Sequence, residues 1–379
     1  MDGLQFRCET VTMPKIPIRR EEITDEWMSK QLVKLGSCSI SNLDFEILTG
    51  HNAALSQLFR IHISYSTRTS DHPEVVIVKI PPADAAVRLR EASLGPYVRE
   101  LGSYQVLEPY QGISIPKLYS SDEDRSEQTA CFLFEDIGPI PGGENYVTVD
   151  FAVAKSSVEF MAEFHARFWK DDSLPQKAWM RGANWAHLFD QDPLVASDGW
   201  KVIREDDRVG KAGGAVMAGE YLGPRLFDLM NAMGSRPNTL THNDLHLGNL
   251  LLRGRGINLI PVIIDWQLTA YAGATNDLAK FMMTTVPFEM LAEYELALVK
   301  HYVQRLQAME VVDYSFDECL RDYRRAQVMV FGNYAIGSAE RSSDRRLTCP
   351  TGESIGDSTR RVVEALSLVD PYELSAVLP

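Results

Sequence analysis

The sequence predicts an α+β protein: a strand-rich N-terminal part, then a mostly helical C-terminal part holding one short pair of strands. Three observations lead there. FEILTG, LSQLFRIHISY and PEVVIVKIPP, between residues 45 and 82, and CFLFEDIG at 131–138 are apolar or alternate as half-buried strands do. Apolar residues recur at helical spacing over 149–171, 286–309 and 315–337. Between those helices LLL (250–252) and INLIPVII (257–264) read as two strands, with RGRG (253–256) supplying glycines for the turn.

The remaining elements follow in order. Residues 21–36 form a helix with Thr24 as N-cap, an apolar stripe of Trp27, Met28, Leu32 and Leu35, and Gly36 at its end. Polar 120–130 reads as a turn or loop between strands, and PIPGGENY (139–146) as a link. In the helix over 149–171, Phe151, Ala154, Val158, Met161, His165 and Phe168 share one face, so His165 reads as a buried structural residue. Segments 177–190 and 222–234 look helical, and 198–216 is polar and glycine-containing. Ser315 and Glu318 form a capping-box pattern, 340–354 reads as a loop, and a last helix spans about 356–368.

At 379 residues the chain is long enough for two packed lobes. Its 45 % hydrophobic and 24 % charged content is that of an ordinary globular protein, and VVIV and LIPVII are too short to span a bilayer. MDGLQFRCET lacks a basic start followed by an apolar core. Five cysteines, scattered and without CxxC spacing, point to a reducing compartment, hence a cytoplasmic location, and against disulfides or a zinc site. A net charge of −14 argues against nucleic acid as a partner. It suits a cationic substrate, or serves solubility alone. The sequence leaves the oligomeric state open.

The chemistry concentrates in 241–279, THNDLHLGNLLLRGRGINLIPVIIDWQLTAYAGATNDLA. Asp244 and Asn249 share one tight loop, and Asp265 closes the second apolar run, so all three fall at neighbouring strand ends. Phosphoryl transfer needs this set. Its transition state carries much negative charge, which calls for Mg²⁺ on the phosphate oxygens and a carboxylate to orient the attacking hydroxyl. Mg²⁺ takes oxygen ligands and keeps waters, so one carboxylate and one amide oxygen suffice. Asn249 and Asp265 fit the metal; Asp244 fits the hydroxyl.

HNDLHLGN, then IIDWQ, then NDLAKF together resemble the aminoglycoside phosphotransferase family, in its ecdysteroid-kinase-like and choline-kinase-like branch. The family pattern is His-x-Asp-x-x-x-x-Asn, an apolar strand ending in Asp, then Asp-Leu-Ala. DWQ in place of DFG, and the lack of an APE-like segment, point to the small-molecule branch and away from protein kinases. The resemblance implies a protein-kinase-like two-lobed fold, with an N-lobe over 1–133, a hinge over 134–146 and a C-lobe over 147–379. It implies ATP and Mg²⁺ as cofactors, and as partner a small-molecule hydroxyl substrate of the aminoglycoside, choline or steroid-like kind.

It also implies roles. Lys79 would contact the α- and β-phosphates and pair with a glutamate on the next helix. Glu91 and Glu100 are both open by position; RELGSYQVL followed by IPKLY matches the family pattern and favours Glu100. Backbone groups at Phe134, Glu135 and Ile137 would meet the adenine. The turn 49–56 lies where the fold places its phosphate-covering loop, which makes Asn52 and Ser56 candidates. With Gly50 as its single glycine, that turn also reads as an ordinary hairpin. His242 would brace the catalytic loop, His246 would pack or line the cleft, and Asp277 would support the loop without entering the chemistry. Two other classes stay open: an inactive nucleotide-binding pseudokinase or scaffold, and a metal hydrolase built on His242, Asp244 and His246, for which the other histidines offer no ligand-spaced pair.

Overall fold

A computed structural model describes residues 16–48, 56–110, 113–138, 149–182, 194–207, 211–253, 260–343 and 356–379. The chain divides into two compact units, one of 1–101 with 117–136, the other of 102–116 with 137–379.

The first unit is an antiparallel sheet of five strands, β1 (Ser39–Ile47), β2 (Gln57–Thr67), β3 (Val75–Ile80), β4 (Leu118–Asp124) and β5 (Thr129–Glu135), in the order β1-β2-β3-β5-β4. Strand alternation sorts the side chains of β3. Val76 and Val78 join Phe59, Ile61, Ile63 and Leu133 in a core closed by Trp27, Met28 and Leu32. Those last three come from the N-terminal helix α1 (Asp25–Gln31), which starts where Thr24 caps the Trp27 N–H at 3.2 Å. Lys79, one position on, points to the other face. There α2 (Ala85–Leu94) and α3 (Pro96–Leu107) follow, separated by Gly95 in a left-handed conformation (φ 65°).

Two expectations change here. The sheet begins at Ser39, not Phe45, and 120–124 is strand, with only 125–128 left to turn. β4 is an edge strand with a single neighbour, so its SSDED run satisfies its backbone on one side and keeps a polar surface without apolar alternation to betray it.

The second unit is mostly helical. Helix α4 (Phe151–Arg167), capped by Asp150, packs on α9 (Phe288–Ala308). The 28-residue α10 (Phe316–Ser343) packs against α5 (Val195–Glu205), α7 (Pro224–Gly234), α8 (Thr275–Thr285), α11 (Asp357–Ser367) and α12 (Pro371–Val377). Ser315 and Glu318 form the expected box: the Ser315 hydroxyl accepts from the Glu318 N–H, and Glu318 accepts from the Ser315 N–H. Polar 198–216 holds the end of α5 and the start of α6 (Gly213–Tyr221). Gly199 is a contact point, since a Cβ there would lie 1.7 Å from the Ala335 carbonyl of α10. Helix α10 runs on to Ser343, past the expected loop start. Of 177–190, read as helical, 177–180 holds a bend and a turn, Arg181–Gly182 is a short strand, β6, and 183–190 lies outside the described residues.

Strand β6 pairs with β10 (Ala270–Gly273), which also pairs with β7 (Asn238–Thr241). The expected strand pair is β8 (Leu250–Arg253) against β9 (Ile260–Ile263), antiparallel with Leu250 opposite Ile263. Among the described residues no helix is long and apolar enough to cross a membrane.

Candidate active site

Two short loops and one helix of the second unit are stitched together around Asp244. The loop after β7 carries His242, Asn243, Asp244 and Asn249; the turn after β9 carries Asp265 and Trp266; α8 carries Asp277 and Lys280. Asp277 is fully buried and anchors the first loop. Its carboxylate accepts the His242 N–H at 2.7 Å and the Asn243 N–H at 2.6 Å, and lies 3.2 Å from His165 Nε2. His165 reaches back to Tyr302 through Nδ1, 2.7 Å away, so this histidine of α4 is a structural link, as its apolar face suggests. The Asn243 backbone, held at φ 62°, adopts a conformation few non-glycine residues take, and the two bonds to Asp277 keep it there.

His242 joins the loop to the strand pair. Its Nδ1 accepts the Asp244 N–H at 3.2 Å, so Nε2 carries the hydrogen and donates to the Ile264 carbonyl at 2.8 Å. The Ile264 N–H donates to the Asn249 carbonyl at 3.1 Å, continuing the β8–β9 ladder by one pair. Asp265 is the next residue, with a left-handed backbone (φ 63°, ψ 66°) of the strained kind that clusters at functional sites. The Asn249 amide nitrogen donates to the Asp244 carbonyl at 2.9 Å, which turns its oxygen away from that bond. An amide oxygen and a carboxylate one residue beyond its ladder partner form a hard-oxygen pair suited to Mg²⁺.

Two features here were absent from the sequence reading. His246 does more than pack: its Nδ1 accepts the Gly248 N–H at 3.0 Å, and its Nε2 lies 3.6 Å from Asp244 Oδ2. Lys280 places its ammonium 3.0 Å from Asp244 Oδ1 and 4.6 Å from the centre of the Tyr334 ring. Burial alone would raise the Asp244 pKa, yet Lys280 and His246 outweigh it and hold the acid well below the usual carboxylate range. Burial likewise opposes the Lys280 charge, and Asp244 and Tyr334 more than offset it, raising its pKa. The signal for Lys280 was present as a lysine one helical turn after buried Asp277, amid Leu278, Ala279, Phe281 and Met282. Both ring nitrogens of His242 are engaged in hydrogen bonds to the backbone. In this arrangement His242 and His246 brace the loop through their ring nitrogens.

In the first unit Lys79 and Glu100 form a sealed ion pair, 3.0 and 2.8 Å to the two carboxylate oxygens, with the residues 4 % and 1 % exposed. Phe134 and Glu135 still lie in the ladder with β3, opposite Ile77 and Val76, while Ile137 lies beyond the end of β5. The segment leaving β5 is pinned by Arg60, which donates to Asp136 at 3.0 and 3.4 Å. Ser56 is buried just ahead of β2, and Asn52 lies outside the described residues.

A search of curated proteins matched none. Among solved structures, a candidate aminoglycoside phosphotransferase from Ralstonia eutropha JMP134 aligns at 12 % identity, covering 94 % of this chain and 98 % of its own, with a TM-score of 0.51. An ethanolamine kinase from Plasmodium vivax aligns at 12 % identity over 88 % of this chain and 82 % of its own (TM-score 0.46), and a choline kinase from Cryptosporidium parvum Iowa II at 13 % over 89 % and 92 % (0.46). The first of these supports the kinase-like fold, with its antiparallel N-lobe sheet and mostly helical C-lobe. The model of the phosphotransferase enzyme family matches residues 64–313, well over half of the sequence, and the chain belongs to that family.

Proposed function

We propose that the chain transfers the γ-phosphoryl group of Mg·ATP to a hydroxyl of a small molecule. The observation that carries this is the stitching of Asp244, Asn249 and Asp265 into one corner: Asn249 bonds Asp244, and Asp265 follows the residue that pairs with Asn249. Asp277 holds the whole corner from below. DWQ in place of DFG supports a small-molecule acceptor over a protein.

The roles follow from the chemistry of the groups. Asn249 Oδ1 and the Asp265 carboxylate would hold Mg²⁺, and Lys79, kept in place by Glu100, would meet the α- and β-phosphates. Bound there, Mg·ATP supplies the phosphoryl group and the cationic charge that stabilises its transfer. Backbone at Phe134, Glu135 and Ile137 is the candidate adenine edge, and Asn52 and Ser56 the candidate phosphate cover. Asp244 orients the acceptor hydroxyl and takes its proton. Oδ1 is engaged by Lys280 at 3.0 Å, so that work falls to Oδ2, which has longer contacts of 3.4 Å to the Asn249 amide nitrogen and 3.6 Å to His246 Nε2. The acid is 28 % exposed, so an acceptor can reach it. Its lowered pKa makes it an orienting anion first and a proton acceptor only as the O–P bond forms.

The test is transfer of labelled γ-phosphate from Mg·ATP into a fractionated metabolite extract, with Asp244→Ala alongside. A labelled product from the wild type, cut by about 10²–10⁴-fold in the variant while nucleotide binding persists, is the expected result. Near-normal turnover in Asp244→Ala removes Asp244 from the mechanism. ATP binding without transfer to any fraction favours a nucleotide-binding scaffold, and absence of ATP binding overturns the reading.

A further inference from the structure

A carboxylate beside an aromatic face is the usual way to hold a substrate ammonium, since the first supplies a counter-charge and the second a cation–π surface. Asp244 and Tyr334 provide that combination, and the chain fills it itself. Lys280 Nζ lies 3.0 Å from the carboxylate and 4.6 Å from the ring centre. The lysine side chain is 15 % exposed and forms one wall of a pocket with Asn243, Asn276, Met329, Val330 and Asn333. Apart from Lys280 that wall is uncharged: three amides and two apolar side chains. The amide oxygen of Asn276 there is buried and has no hydrogen-bond partner among the described residues, an acceptor that a hydroxyl donor would satisfy.

We propose that Lys280 is a specificity-determining residue: it occupies from within the chain the place a substrate ammonium would take, so the acceptor is an alcohol with no positive charge near its reacting hydroxyl. The proposal rests on the phosphotransfer reading for what Asp244 does. It narrows that reading, because aminoglycosides and choline-like amino alcohols would place a second cation against Lys280. The net charge of −14 does not alter this, since the charge next to Asp244 is already compensated locally.

The prediction is tested by binding, independently of turnover. Wild type, Lys280→Ala and Lys280→Arg are titrated with butylammonium, choline and ethanolamine, with butanol and glycerol as uncharged controls, and thermal melting is recorded for each. Lys280→Ala vacates the carboxylate and the ring, and is expected to bind the three cations about tenfold or more tighter than wild type does. Lys280→Arg keeps the charge and is expected to behave as wild type, and the uncharged controls are expected not to distinguish the proteins. The proposal is overturned if wild type binds the cations as tightly as Lys280→Ala. It is equally overturned if a folded Lys280→Ala, with an intact melting transition, gains no affinity. Should Lys280→Ala not fold, Lys280→Gln, uncharged and of similar length, carries the same comparison. Mg·ATP titration of the same samples reports separately on the phosphotransfer reading: lack of nucleotide binding by the wild type would sink that reading, while the cation series still judges Lys280.

Discussion

Lys79–Glu100 in the first unit and Lys280–Asp244 in the second are both lysine–carboxylate pairs, and they are built differently. Lys79 and Glu100 are 4 % and 1 % exposed, and the ammonium engages both carboxylate oxygens. Lys280 and Asp244 keep 15 % and 28 % of their side chains exposed, and the ammonium engages one oxygen. A pair this enclosed fixes the position of its ammonium. A half-open pair leaves an oxygen to meet something else. On the proposed reading, the first positions a phosphate-binding lysine and the second is where selectivity and chemistry would share one carboxylate.

The largest effect on stability should come from the sealed pair. Glu100→Ala removes the carboxylate partner of a buried ammonium and should cost about 3–5 kcal/mol, read by chemical denaturation. The double change Lys79→Met with Glu100→Leu should recover most of that loss while abolishing Mg·ATP binding. A loss in Glu100→Ala too small to resolve would erase the contrast between the pairs. An intermediate effect is expected at Asp277, the brace beneath the half-open pair. Asp277→Asn keeps the shape but weakens the bonds from the His242 and Asn243 N–H groups, and should cost about 1–3 kcal/mol. If the Asp244 corner depends on that brace, turnover should fall with it; full turnover in a destabilised variant would separate the brace from the site. The smallest effect sharpens the scale. Lys30 and Glu26 lie 2.8 Å apart on the surface of α1, 68 % and 80 % exposed, and Lys30→Ala should leave the melting curve unchanged.

Legibility in the sequence followed the range of the interactions. Local signals were readable: the Thr24 cap, the Ser315–Glu318 box and the alternation in β3 each involve residues a few positions apart. Lys79 with Glu100 was reachable because a strand, a loop and the start of a helix constrain the 21 residues between them, once Glu91 had been set aside on family pattern. The glycines of α6 were visible, but their packing role was not. They mark close approach to Trp200 and to Leu366, Ser367 and Val369, and nothing within the segment says so. The polar edge strand β4 hid for a related reason: its pairing with β5 carries the structure, and its own side chains need no apolar face.

By itself, the sequence determined the residue types and the spacings of the phosphotransferase motif, because backbone geometry ties a strand end to the loop beside it over short distances. It also determined the strand alternation and the helical faces, which depend on periods of two and 3.6 residues, and the caps at Thr24 and Ser315. Only the tertiary structure decided which groups share Asp244. Lys280 lies 36 positions away and Tyr334 a further 54, on separate helices. Their meeting depends on how α8 and α10 pack. Packing is set by the fit of many weakly directional apolar contacts, so no spacing in the chain announces where two distant side chains will converge.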